Sequence, residues 1–298
     1  MNSTSNPHPN SQILFLVNPI SGGKRKDKLI TKLVELLPQK GIEAEVILTT
    51  SKEDTIQQAA EAVRKNYKIV VAVGGDGTIN DIASQLSGTN TSLGVIPMGS
   101  GNGLSRELKI PFNIEKAVDV ILRHRVMQVD TGYINDKPFF NIAGIGFDAH
   151  IAGLFEQAKS RGLIGYIKLI LQSFHQYVPE KYTIHLNGKT FSQTSFLIAV
   201  CNGRQFGNNA WVNPEAILDD GKFNITVIRS ARWFEIPGLL WWMFQQKIKR
   251  SNQVDTFIIN EIRIERENDG LVNIDGEPVN MSKTLYFNIV PKSLKVIH

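Results

Sequence analysis

The sequence predicts two domains, an α/β domain followed by a β-rich one. Three observations carry this. At 298 residues the chain exceeds what one small core requires. Its first part, to about residue 125, alternates short apolar runs with amphipathic helical periods. Beyond about residue 126 it turns to strand-like runs separated by turn dipeptides.

The elements follow in order. Residues 13–17 form a short apolar strand, then the loop Asn18-Pro19-Ile20-Ser21-Gly22-Gly23-Lys24. A helix from about 26 to 37 sets Leu29, Ile30, Leu33, Val34 and Leu37 on one face. Strand 44–48 ends in Thr49-Thr50-Ser51, an N-cap cluster for a helix over 53–65. Strand 69–73 runs into Gly74-Gly75-Asp76-Gly77-Thr78-Ile79-Asn80 and a helix over 79–86. Strand 93–96 ends in Pro97-Met98-Gly99-Ser100-Gly101-Asn102-Gly103. The second half offers strands at 127–134, 137–142, 181–186, 190–200, 223–228, 256–264 and 271–274, with hairpin turns at Asn135-Asp136 and Asn187-Gly188. Helices near 163–177 and 233–249 interrupt it.

Composition narrows the class. The 42% hydrophobic and 20% charged content is that of a soluble globular protein. A net charge of +5 favours anionic partners, but nucleotides, acidic lipid surfaces and nucleic acid share that sign. Cys201 stands alone, which excludes an internal disulfide framework and a Cys-based zinc site and suits a reducing cytoplasm. Residues 1–11 are polar, lack a signal-peptide core and read as a disordered lead-in. No segment supplies the ~18 consecutive apolar residues of a membrane span. Any membrane contact is expected from the surface.

A Gly-rich turn between strand and helix brings backbone N–H groups close to an anion, at the positive end of the helix dipole. Asp76 is the unusual member, since a carboxylate repels phosphate unless a metal or a transferable proton lies between them. The Gly74-to-Asn80 turn therefore reads as a nucleotide phosphate site with catalytic or metal chemistry. Three glycine loops at strand ends of one α/β domain strengthen it, because ligands collect there. Gly22-Gly23-Lys24-Arg25 lacks the Walker A spacing and hydroxyl. Gly144-Ile145-Gly146-Phe147-Asp148-Ala149 matches a relaxed dinucleotide pattern, but it lies in the β-rich half, outside a βαβ unit, and reads as a chance match.

Together the loops resemble the diacylglycerol kinase catalytic-domain family, which also holds sphingosine and ceramide kinases. The resemblance rests on Asn18-Pro19-Ile20-Ser21-Gly22, Gly74 to Asn80, Pro97 to Asn102, Leu108-Lys109-Ile110-Pro111, Gly144 to Ala149, Ala216 to Phe223 and Asp275-Gly276-Glu277, in order along nearly the whole chain. It implies an α/β nucleotide-binding domain of the NAD kinase/diacylglycerol kinase kind and a β-sandwich-like second domain, with the active site in the cleft. The expected extents are residues 11–126 for ATP binding and 127–285 for lipid binding, with a terminal strand near 286–298 placed to return to the first domain.

Carried residue by residue, the resemblance implies a nucleotide site of Asn18, Pro19, Ile20, Ser21, Gly22, Gly74, Gly75, Asp76, Gly77, Thr78, Ile79, Asn80 and Ser100, with Thr50 nearby. It implies Asp275 as general base, Glu277 beside it near the nucleotide, and Asp76 on magnesium. It also implies a structural divalent ion held by the carbonyls of Ile217 and Lys222 with Asp220. By themselves Asp275-Gly276 and Asp219-Asp220-Gly221 read as hairpin turns. Asp148 reads equally as an acceptor-orienting group or a helix cap. Lys24, Arg25 and Lys26 read either as charge at the cleft edge or as a solvated helix start. Asn202-Gly203 reads as a lipid-cleft lining or a turn. Residues 232–250 combine Trp233, Phe234, Trp241, Trp242 and Phe244 with Lys247, Lys249 and Arg250, as an interfacial helix does, although core packing explains part of them.

The expectation is an ATP- and Mg²⁺-dependent lipid kinase, cytoplasmic and peripheral to the membrane. Its partner would be a lipid at the membrane surface, with no nucleic acid and no transmembrane segment. A homodimer is compatible with a sequence silent on oligomeric state. Diacylglycerol is the first acceptor. A sphingoid base or ceramide, NAD, and a non-catalytic lipid- or nucleotide-binding role remain as alternatives.

Overall fold

A computed structural model describes residues 12–18, 26–158, 162–186 and 188–298, with the backbone alone at 26–29. Pro19, Ile20, Ser21, Gly22, Lys24, Arg25 and Asn187 therefore lie outside the described residues. The chain divides into two compact units. One takes in the chain to Gly99, Leu108–Gln128 and Ser293–His298; the other takes Ser100–Glu107 and Val129–Lys292.

The first unit runs β1 (Ile13–Val17), α1 (Lys26–Gln39), β2 (Glu45–Leu48), α2 (Lys52–Arg64), β3 (Ile69–Gly74), α3 (Asp76–Leu86), β4 (Ser92–Pro97) and, after α4 (Gly103–Glu107) of the other unit, α5 (Ile114–Arg123). Its sheet has the order β2-β1-β3-β4, all parallel. Every residue of β3 and β4 is buried, as in a parallel sheet covered on both faces. Ser51 caps α2 by accepting from the Asp54 amide at 3.1 Å. Helix α3 begins at Asp76, three residues before the expected start. Helix α5 was not anticipated, although Ile114, Ala117, Val118 and Ile121 form its buried stripe and Asn113 caps it.

The second unit continues with β5 (Val126–Ile134), β6 (Lys137–Phe139), β7 (Ile142–Gly146), α6 (Phe147–Gln157), α7 (Leu163–Ser173), β8 (Glu180–Leu186), β9 (Lys189–Ser195), β10 (Leu197–Cys201), β11 (Phe223–Ile228), α8 (Ile236–Phe244), β12 (Val254–Ile259), β13 (Glu261–Glu265), β14 (Gly270–Ile274), β15 (Glu277–Met281) and β16 (Thr284–Ile297). One sheet is antiparallel with the order β12-β11-β10-β7-β14-β15. The other holds β16-β13-β8-β9, with β5 on β16 and β6 on β5; the last residues of β16, which belong to the first unit, pair with β4, Val296 beside Leu93. Phe139, Tyr182, Ile198, Phe223, Ile264 and Phe287 belong to one buried cluster drawn from both sheets. This is a β-sandwich. Alternate residues of β10 face opposite ways: Ile198 and Val200 join that core, while Leu197, Ala199 and Cys201 join a second cluster with α6, α7 and α8.

Three expected boundaries change. Residues 137–142 divide into β6 and the start of β7, which places Gly144 and Gly146 within a strand. Residues 190–200 divide into β9 and β10, and 256–264 into β12 and β13, because the chain passes from one sheet to the other there. Since β7 is antiparallel to both neighbours, Gly144 to Ala149 lies outside any βαβ unit, as expected.

Candidate active site

In the first unit, Val17 and Val73 are register partners, so β1 and β3 release the chain side by side. The connection from β1 goes to β2 on one flank, and the next goes to β3 on the other. Such a reversal of strand order opens a crevice at the carboxyl ends. Asn18 sits there. Its amide donates to the Val73 carbonyl at 3.2 Å, and its Nδ2 donates to Thr78 Oγ1 at 3.1 Å. Thr78 lies in the first turn of α3, whose N-cap is Gly75. The Ile79 amide already donates to the Gly75 carbonyl at 3.0 Å, so the amides before it lie at the donor-rich end of the helix.

The glycines are required by packing. A Cβ on Gly74 would stand 2.6 Å from Thr78 Cβ, and one on Gly75 would stand 3.3 Å from Gly99 Cα. Met98 donates to the Gly74 carbonyl at 2.7 Å. The second and third glycine loops thus run backbone to backbone. Ser100, the next residue after Gly99, is exposed and groups with the second unit.

Thr50 is exposed at the end of β2, and its amide and hydroxyl both donate to Asp54 Oδ2, at 2.7 and 3.0 Å. The Thr50 amide holds the Asp54 carboxyl below its ordinary range. Lys52 pairs with the nearly buried Asp81 at 3.2 Å, a charge pair on α2 and α3 that sequence reasoning passed over.

In the second unit Asp275 and Gly276 are the two turn residues of the β14–β15 hairpin, with φ of 50° and 96°. Positive φ at both positions is the type I′ geometry that Asp-Gly favours. The hairpin reading is correct, and incomplete. The Asp275 carboxylate also accepts three amides in sequence, Phe140 at 2.8 Å, Asn141 at 2.9 Å and Ile142 at 2.9 Å. Asn141 is buried and extends the arrangement: its carbonyl accepts from Asn202 and Gly203, and its Nδ2 donates to the Gln205 carbonyl at 2.8 Å. Asn202 is buried too, donating to the Asp130 and Phe140 carbonyls at 2.9 Å each. Glu277, half-buried, opens β15 opposite Ile274.

Ile217, Asp220 and Lys222 lie on an exposed turn, where Asp220 Oδ1 accepts the Lys222 amide at 3.0 Å. Among the described residues no three His, Cys, Asp or Glu side chains converge as a metal site. Below this turn the buried Asp130 carboxylate accepts the Gly221 and Lys292 amides at 2.7 Å each, and burial raises its carboxyl above the ordinary range.

Residues 12–134 match the family described as "Diacylglycerol kinase catalytic domain", and residues 141–298 match "YegS C-terminal NAD kinase beta sandwich-like domain". The chain belongs to the lipid kinase family built from these two domains. Among its relatives, "Probable lipid kinase YegS-like" of Klebsiella pneumoniae (strain 342) is 28% identical over 281 residues, covering 93% of each chain. "Diacylglycerol kinase" of Bacillus subtilis (strain 168) is 26% identical over 281 residues, covering 92% of each. A solved structure of a diacylglycerol kinase from Bacillus anthracis str. Sterne superposes with a TM-score of 0.76 at 22% identity over 97% of both chains, a likeness of fold.

One further carboxylate of this lipid kinase stands behind the Asp275 turn. Asp148, at the start of α6, is buried; Asn273 Nδ2 donates to its Oδ2 at 2.8 Å and Tyr166 to its Oδ1 at 3.4 Å. Asn273 in turn accepts the Gly276 amide at 2.9 Å. Gly144 makes the room, since a Cβ there would lie 1.9 Å from Asp148 Oδ2. An Asn in the otherwise apolar run Leu271-Val272-Asn273-Ile274 was the available signal.

Burial lifts the Asp148 carboxyl to about 6 from 3.8, against the two donors. The folded chain therefore binds this proton more tightly than the unfolded one. The associated stability is fully present below the unfolded value and is lost as pH rises through about 6. That difference is worth about 3 kcal/mol. Asp148→Asn keeps the shape without the charge. In denaturant titrations its stability relative to wild type should improve by that order between about pH 4 and about pH 8. A gap independent of pH would contradict the assignment.

Proposed function

We propose that this lipid kinase transfers the γ-phosphoryl group of ATP to a hydroxyl of diacylglycerol, with Mg²⁺ as the metal. The observation that carries the nucleotide half is the glycine turn at the β1/β3 reversal, where Asn18 bonds Thr78 and the backbone at Gly74 and Gly75 packs too closely on Thr78 and Gly99 to carry a side chain. Relatives named "Diacylglycerol kinase" support the acceptor.

In this reading the first-turn amides of α3, with Asn18, Thr78, Ile79 and Asn80, hold the phosphates, and Ser100 and the loop 19–22 complete the nucleotide site. Asp76 fits a magnesium ligand at the start of α3. Bound Mg²⁺ would neutralise charge on the phosphates. Asp275 accepts the proton of the lipid hydroxyl as that oxygen bonds the γ-phosphorus, and the bond from the γ-phosphorus to the bridging oxygen breaks to release ADP. Three amides fix the carboxylate's direction, a positioning that favours proton transfer to one side. Glu277, two residues on, is assigned beside Asp275 in the same reading. Asp220, with the carbonyls of Ile217 and Lys222, offers a hard-oxygen set for a structural divalent ion.

The test uses purified protein, Mg²⁺, labelled ATP and separate micelles of diacylglycerol, sphingosine and ceramide. Label is expected in diacylglycerol, to vanish with a chelator and return with added Mg²⁺. Label confined to sphingosine or ceramide would overturn the diacylglycerol assignment, and transfer indifferent to the chelator would overturn the metal.

A further inference from the structure

Nothing in the reaction uses residues 231–235, yet this segment exposes two large rings side by side. Trp233 is 66% and Phe234 55% exposed, and the rings meet edge to face at 5.9 Å. They border a cavity of about 380 Å³ whose other walls include Phe174, Tyr177, Pro179 and Phe196. Phe147 braces those walls, stacked on Phe196 at 4.4 Å and edge-on to Tyr177 at 5.2 Å. The cavity is thus lined by rings already held in place, as apolar ligand sites are.

The surroundings repeat the pattern. Val178, beside the cavity residues Tyr177 and Pro179, is 76% exposed. On α8 Trp241 is 61% exposed while its neighbour Trp242 packs on the helix-side cluster. Arg232 lies 6.0 Å over the Phe234 ring and Arg250 5.8 Å over Trp242. Arg232, Lys247 and Arg250 are exposed and make no salt bridge among the described residues, whereas Lys249 is paired with Glu215 and Arg229 with Asp255. Glu235 is the one acidic side chain at the turn, where it accepts the Arg232 amide at 2.7 Å. Exposed indoles beside unpaired cations match the boundary between acyl chains and phosphates. No described helix is long and apolar enough to cross a membrane, and a lipid acceptor lies in one.

We propose that the 231–235 turn seats this kinase on an anionic phospholipid bilayer. Trp233 and Phe234 enter the acyl layer, an acyl chain fills the aromatic cavity, and Arg232, Lys247 and Arg250 meet the phosphates. The inference rests on the acceptor being a lipid, and not on which lipid it is.

The test combines sedimentation with vesicles and indole fluorescence. Vesicles of phosphatidylcholine with phosphatidylglycerol, carrying brominated acyl chains, should shift wild-type emission to shorter wavelength and quench it. Trp233→Leu should remove a distinct share of that quenching. The double change Trp233→Ser, Phe234→Ser should weaken vesicle binding roughly tenfold or more, given the apolar area withdrawn. Arg232→Gln should weaken binding to the mixed vesicles and leave binding to phosphatidylcholine alone unchanged. All variants should keep wild-type turnover on a water-soluble short-chain diacylglycerol, which also shows that they fold. Unchanged vesicle binding by the double variant overturns the proposal. So does a dimer in solution that the double change dissolves, which would assign the face to a second copy. If wild type fails to phosphorylate the short-chain lipid, the acceptor assignment falls while the vesicle result still decides the anchor.

Discussion

Asp275→Asn is expected to lower kcat by about 10²- to 10⁴-fold, the range for a lost general base, with little change in the KM for ATP. In the proposed reaction, proton acceptance by Asp275 occurs only in the transfer step, while ATP binding would draw on the glycine turn of the first unit. The substitution also has a structural cost. The carboxylate serves three amides, and an Asn offers one acceptor oxygen and sets its NH₂ toward donors. A loss of about 1–3 kcal/mol in unfolding free energy should accompany it. Steady-state kinetics and denaturant titration on the same preparation separate the two. Turnover that falls only in proportion to the folded fraction would leave Asp275 as a hairpin residue and remove it from the chemistry.

Gly74→Ala should weaken ATP binding by at least roughly tenfold and cost about 1–3 kcal/mol of stability, the range for an overpacked site. The added methyl would lie 2.6 Å from Thr78 Cβ. That atom belongs to the first turn of α3, so the helix start must move and the Asn18–Thr78 bond must stretch. The matched control is Gly238→Ala on α8, where nothing lies within 4 Å of a Cβ. Calorimetric titration with ATP reads both. Wild-type affinity in the Gly74 variant would mean that this helix start does not hold the phosphates.

The two halves of the chain were unequally legible. Strands β1, β3 and β4 are buried on both faces, so they stand out as apolar runs, and glycine loops mark where they end. In the second half the strands were visible but not their sheets. Residues 190–200 contain no Gly, Pro, Asn or Asp to mark a turn, although β9 and β10 belong to opposite sides of the sandwich. Helix α6 was hidden because its first residues, Phe147 to Ala149, read as the tail of a glycine motif. The glycine turn could be found from sequence because its demand is local: Gly74 must clear Thr78, four residues on. The Asp275 arrangement could not. Its amide partners lie 133 to 135 residues away, and Asp148 and Asn273 are 125 apart. Only the fold brings such groups together.

The last strand sets a schedule for folding. Val296 pairs with Leu93 in the first sheet, and Leu294, Val296 and Ile297 are buried. During synthesis β4 emerges roughly 200 residues before that neighbour exists, so the first sheet must wait with an open edge. The nascent chain should need shielding from aggregation until residues 293–297 have been made.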